Sequence, residues 1–248
     1  MTSSPPLQSE AAPIRVYVWE WPVRTAHWLM ALSLIVLTVT GYYLYRPFVI
    51  ATNRTDYVMA TMRFTHVTAG FVFMIAFLLR MYWMFVGNLW AHWDQFVPTR
   101  RSRWADLVQT TKYYSFFRWR PTANIGHNAL AGAAYSVVYL LSLIEIVTGL
   151  ALFSHVLGSR FWTIVTGWPF RLVDIQYVRE IHFLVMFTFW MFFLHHLYSA
   201  MLVSKEEKTG VMESIFSGYK FIPGEQLLDQ GTTASSTSGP TSSKGSVT

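Results

Sequence analysis

Four stretches without Asp, Glu, Lys or Arg, residues 25–45, 64–79, 121–144 and 181–204, alternate with segments where the polar residues gather. A helix needs about 20 apolar residues to cross the hydrocarbon core of a bilayer. Three stretches reach that length, and the second does so if it runs on past Arg80 into "MYWMFVGNLWAHW". Backbone polar groups in lipid must be satisfied within a helix or a closed barrel. These stretches are too long for barrel strands and lack their period-two alternation. The pattern predicts an all-α fold, a transmembrane four-helix bundle with up-down connections, in which only the link between helices 2 and 3 is long.

The flanks read differently. Residues 1–13 contain Pro5, Pro6 and Pro13 with little to bury, and are expected to be disordered. Residues 14–223 form the predicted membrane domain, and 224–248 a disordered Ser/Thr/Gly-rich tail. Between Gly231 and Thr248, 14 of 18 residues are Ser, Thr or Gly, too little apolar surface to offset ordering entropy. No cleavable signal peptide is visible, so the first helix is expected to act as its own insertion signal. In the long link, "SRWADLVQTTKYYSFFRWR" sets Trp104, Leu107, Val108 and Thr111 on one helical face, which fits either an interfacial helix or a solvated loop.

Composition agrees with a membrane protein: 53% of residues are apolar and 13% charged, the latter roughly half the share of a soluble domain. Arg100, Arg101, Arg103, Lys112, Arg118 and Arg120 make the long link the most basic segment between helices. The positive-inside bias then places that link and both termini in the cytoplasm. Basic loops beside anionic lipid account for the net charge of +6 without a nucleic-acid partner. The absence of cysteine excludes disulfides, cysteine-ligated iron-sulfur clusters and covalent attachment of haem c.

The histidines add chemistry. A helix turns about 100° per residue, so 14 residues return to within about 40° of the starting direction while 13 miss by about 140°. His182 and His196 therefore share a face, and His195 does not. Their rise of about 21 Å puts them in opposite halves of a core of about 30 Å. Depth then pairs His66 with His182 on the outer side and His27 with His196 on the inner side. Such pairs suit two bis-histidine haems b, each imidazole turning its second nitrogen to a carbonyl or hydroxyl.

Gly41 and Gly70 would let a porphyrin approach, or simply let helices pack. The repeated R-x-x-H at Arg24 to His27, Arg63 to His66 and Arg179 to His182 would set an arginine near each haem propionate, although arginines at helix ends also snorkel without a cofactor. Arg80, inside helix 2, requires an anionic or carbonyl partner, for which an inner-haem propionate is one candidate. Glu145 is either protonated or paired with Arg160 or Arg171. His127 competes with His27 as a ligand or lines a quinone pocket near Arg80; His92, His155 and His195 read as interfacial or hydrogen-bonding residues.

The segments "WEWPVRTAHW", "RFTHVTAG", "RMYWMFVGN", "GHNALAGAAY", "REIHFLVMFTFWMFFLHHLYSA" and "MESIFSGYKF" together resemble the cytochrome b subunit of membrane-bound nickel-iron hydrogenases over about residues 15–223. The resemblance implies two haems b on His27, His66, His182 and His196. It also implies as partners a nickel-iron large subunit, which would hold the hydrogen-oxidising active site, and an iron-sulfur small subunit with a membrane-anchoring tail. Its implied activity is electron transfer from hydrogen oxidation outside to a membrane quinone in a respiratory chain, entering at the outer haem and leaving by the inner. The rival readings are the haem b subunit of a formate dehydrogenase or related periplasmic oxidoreductase, a histidine-based metal transporter, a membrane metallohydrolase or desaturase, and a structural anchor. The second lacks the expected carboxylates and broken helices, and the third lacks H-E-x-x-H.

Overall fold

A computed structural model describes residues 13–49, 57–96, 101–114, 129–207 and 209–222. Strand β1 (Ile14–Tyr17) leads into α1 (Trp21–Tyr45), α2 (Val58–Val86), α3 (Arg101–Tyr114), α4 (Ala129–Leu157), α5 (Arg160–Thr166), α6 (Ile175–Glu207), α7 (Val211–Ser217) and strand β2 (Tyr219–Ile222). Four of these, α1, α2, α4 and α6, are long and apolar enough to cross a membrane. The second span does continue through Arg80 to Val86. The third runs on through Glu145 to Leu157, well beyond the uncharged stretch, because an acid whose partner lies within the bundle need not end a span. The expectations for the N-terminal segment and the tail fall outside the described residues, apart from Pro13.

The spans carry large apolar side chains outward, among them Leu32, Ile75, Leu140 and Met191, as helices must when their outer solvent is lipid. Inside, α1 and α2 pack along their length, and α4 packs on α6. The ring closes through aromatic and polar contacts. Tyr45 of α1 stacks on Phe183 of α6 with centroids 4.2 Å apart, and the Trp190 indole donates to Thr38 Oγ1 at 3.1 Å. Between α2 and α4, Phe71 meets Phe153 and Phe77 meets Tyr139. The basic link contains α3, packed against α4 with Trp104 and Val108 exposed.

The chain is not wholly helical. Alternating β-branched and aromatic residues in "IRVY" and "YKFI" pair antiparallel, Ile14 with Ile222 and Tyr17 with Tyr219, forming a ribbon at the end of the bundle where α1 begins and α6 finishes. Arg15 covers the Tyr219 ring at 3.8 Å. Val18 and Trp19 donate backbone N–H groups to the Gly218 carbonyl, and the Trp19 indole donates to Ser214 Oγ at 3.0 Å. Glu20 brings in α2, accepting from Trp83 Nε1 at 2.7 Å and from the Asn88 backbone at 2.8 Å. Val18, Trp19, Val23, Ala91 and Ile222 make the apolar centre of this clasp.

Gly218 is the tightest point of the clasp. Its φ is +90°, and a Cβ there would lie 2.6 Å from Tyr17 Cε2 and 2.8 Å from the Trp19 carbonyl oxygen. Gly218→Ala is expected to destabilise the clasp by about 1–3 kcal/mol, read as faster hydrogen exchange in the ribbon with unchanged helix content by circular dichroism.

Candidate functional site

Two short patterns recur on matching helices. V-T-G-x-x-L followed by an aromatic residue ends α1 at Val39 to Tyr45 and lies near the end of α4 at Val147 to Phe153; R-x-x-H occurs near the start of α2 at Arg63 to His66 and of α6 at Arg179 to His182. The fold gathers these four segments around one cavity of about 590 Å³, at the end of the bundle away from the ribbon. Gly41 and Gly149, His66 and His182, and Arg63 and Arg179 face it in corresponding pairs. Its volume lies within the roughly 300–1,000 Å³ of a cofactor-sized site.

The threonines act through ordinary helix chemistry. A threonine inside a helix turns its hydroxyl proton back to a carbonyl of the preceding turn. Thr40 Oγ1 donates to the Val36 carbonyl and Thr148 Oγ1 to the Ile144 carbonyl, both at 2.7 Å. Each oxygen keeps its lone pairs for a neighbour, lying 2.9 Å from Nδ1 of His66 and of His182 respectively. Since each hydroxyl proton is already committed, the imidazole donates Nδ1–H and Nε2 holds the lone pair, the form that binds a metal. The glycines leave room for this. A Cβ on Gly41 would come to 3.2 Å from His66 Cε1, and one on Gly149 to 3.2 Å from His182 Cε1. Gly41 thus makes room for the histidine ring itself; Gly70 lies against Leu37.

One feature breaks the symmetry. Glu145 Oε2 also contacts His182 Nδ1, so Glu145 pairs with neither Arg160 nor Arg171.

The other pair lies near the ribbon. His27 of α1 and His196 of α6 face each other, with the Phe192 ring stacked on His196. Tyr135, near the start of α4, places its hydroxyl 3.2 Å from His196 Nδ1. His27 Nδ1 and Arg24 Nε are buried side-chain nitrogens without a hydrogen bond in the described residues, one helical turn apart. Leaving such atoms unpaired costs about 1–3 kcal/mol each, which a bound acceptor or metal would offset.

Both pairs have the same span: ring centroids are 6.3 Å apart in each. Two imidazoles on opposite sides of one metal, with bonds of about 2 Å and a further 1.1 Å or so from nitrogen to ring centre, sit about 6 Å apart. The equal ring spacing at both pairs, the Nδ1 partners at the far pair and the Tyr135 hydroxyl beside His196 Nδ1 fit bis-histidine haem binding.

The remaining candidates separate by position. Arg63 and Arg179 line the far cavity. Arg24 donates through Nη1 to the Phe216 carbonyl, tying α1 to α7. Arg80, only 3% exposed, donates from both terminal nitrogens to the Ala91 carbonyl at 3.4 Å and lies 5.0 Å from the Phe96 ring. It therefore has a carbonyl and an aromatic partner within the chain. His92 approaches Asp94, His195 is exposed beside Ser199, and His155 lines the far cavity against Phe170. His127 falls outside the described residues. No cluster of three or more His, Cys, Asp or Glu side chains able to hold a metal ion occurs among the described residues.

Sequence reasoning missed Thr40, Thr148, Gly149 and Tyr135. The repeated Val-Thr-Gly was the available signal, since each copy sits at the depth of a histidine on the following span.

The prokaryotic cytochrome b561 family model matches residues 18–218. The chain is 35% identical to the probable Ni/Fe-hydrogenase B-type cytochrome subunit of Bradyrhizobium diazoefficiens, over 82% of this chain and 85% of that protein. It is 33% identical to the probable Ni/Fe-hydrogenase 1 B-type cytochrome subunit of Escherichia coli strain K12, covering 82% and 90%, and 33% identical to the corresponding subunit of Azotobacter vinelandii, covering 85% and 90%.

Thr40→Ala and Thr148→Ala each remove the acceptor that orients one imidazole. Each is expected to weaken haem retention about 10–100-fold, measured by haem quantitation after detergent titration, while Thr→Ser at either position retains the pigment.

Proposed function

Because this chain belongs to the prokaryotic cytochrome b561 family, we propose that it is the dihaem membrane cytochrome b that carries electrons from a nickel-iron hydrogenase to the quinone pool. The observation that carries this reading is the pair of equally spaced histidine couples, one toward each end of a four-span bundle. Haem b, when bound, supplies one-electron transfer. His66 and His182 hold the outer group, His27 and His196 the inner one. Thr40, Thr148 and Tyr135 orient three of the four rings, and the apolar spans keep water from both sites.

In this reading the chain lies in a bacterial inner membrane with the ribbon end of the bundle and both termini on the cytoplasmic side, and residues 14–223 form the membrane domain. The far cavity then faces the periplasm, where the hydrogenase large subunit and its iron-sulfur small subunit dock. Arg63 and Arg179 would receive propionates at that cavity, and Arg24 at the inner pair, where its Nε has no hydrogen-bond partner among the described residues. Arg80 contributes to the inner end through its aromatic surroundings, and quinone is reduced in its vicinity and that of His127.

Alanine at any one of His27, His66, His182 or His196 is expected to remove one of two haems from the purified complex and to abolish hydrogen-driven quinone reduction. Retention of both haems in all four variants overturns the ligand assignment. In sealed vesicles, hydrogen-driven quinone reduction is expected to generate a membrane potential, since inward electron movement works against about 2.3 kcal/mol per charge for each 100 mV. No potential would move the quinone site to the outer side.

A further inference from the structure

The two Thr-Gly segments place corresponding residues against the far cavity, and one correspondence is chemically unequal. Three residues before Thr40 stands Leu37; three before Thr148 stands Glu145, and both line the cavity. At His66 the equivalent position offers no charge: the acceptors facing the ring are the neutral Thr40 hydroxyl and the Leu37 backbone carbonyl. His182 Nδ1 has the equivalent hydroxyl and, in addition, the Glu145 carboxylate. The Glu145 side chain is 15% exposed within a membrane-spanning helix. A carboxyl group is costly there unless it has a task and a partner.

We propose that Glu145 is a positioning residue that polarises His182 as a ligand and holds the outer group at a lower potential than the Leu37 half alone would. The proposal rests on the dihaem reading above. A carboxylate accepting Nδ1–H makes a charge-assisted hydrogen bond, stronger than one to a hydroxyl. It shifts electron density toward Nε2 and makes the ring a more basic ligand. A basic ligand and a nearby anion both favour the oxidised, more positive state of the metal. A site held lower in potential gives up its electron more readily, which favours onward transfer toward the His27 and His196 pair. Thr148 keeps the ring in place, and Glu145 adds the charge.

The test is an equilibrium redox titration of the purified complex, following both haems optically, with electron paramagnetic resonance of the oxidised state. The variants are Glu145→Gln, which keeps shape without charge, Glu145→Leu, which copies Leu37, and Glu145→Asp, which keeps the charge. Gln and Leu are expected to retain both haems and to raise the reduced-to-oxidised ratio of one haem about tenfold at fixed ambient potential, about 59 mV for one electron. Its resonance signature should shift, the other haem should not change, and Asp should remain closer to the unsubstituted protein. Unchanged potentials in Gln and Leu, or equal shifts of both haems, overturn the proposal. Loss of the same haem in all three variants also overturns it, by making Glu145 a structural residue. Two haems missing from the unsubstituted protein would instead sink the dihaem reading beneath it.

Discussion

An imidazole in the middle of a membrane has two nitrogens and no water for either. One must be satisfied by the protein before the other can be offered, in a defined direction, to anything else. At the far end of this bundle both rings meet that condition with the same hydrogen bond, from ring Nδ1–H to a threonine hydroxyl whose own proton is tied to its helix, to which His182 adds Glu145. Much else follows from it. The hydroxyl must lie opposite the histidine on a neighbouring helix, the next residue must be glycine so the ring can approach, and the two helices must run antiparallel at a fixed depth. Helix pairing, ring orientation and cavity shape are thus one requirement expressed at three scales.

Meeting it twice, with α1 and α2 in one half and α4 and α6 in the other, yields a cavity with approximate two-fold correspondence. The end near the ribbon is built otherwise. There the histidines come from α1 and α6, a tyrosine replaces one threonine, and His27 Nδ1 has no partner among the described residues. That end is also where the chain is most elaborately tied, through Glu20, Asn88, Trp19 and Gly218. A symmetric, open far end and an irregular, clasped near end suit a protein that meets different neighbours at its two surfaces.

The four spans were readable because lipid imposes a long uncharged run on any helix that crosses it, and the histidine pairs because a 14-residue spacing sets both phase and depth. The ribbon was not readable: four-residue strands some 200 positions apart carry too weak a local signal, and "IRVY" gains its partner only once the bundle brings the ends together. Thr40 and Thr148 looked like any threonine in an apolar helix, whose hydroxyl is satisfied locally. Their second role depends on which helix stands opposite. Glu145 was recognised as misplaced, and read as either protonated or paired with Arg160 or Arg171 in the next loop, although His182 lay at the same depth on the following span. In each case the missing term was lateral adjacency of helices, which hydropathy does not encode.

The pairing of β1 with β2 also bears on biogenesis. The first strand leaves the ribosome before the four described spans, the second after them, and the two can hydrogen-bond only if they finish on one side of the bilayer. An even number of crossings satisfies that; failure of any single span to insert strands the two halves across an impermeable barrier. The ribbon is therefore a parity check on membrane insertion, able to close only when an even number of spans has crossed.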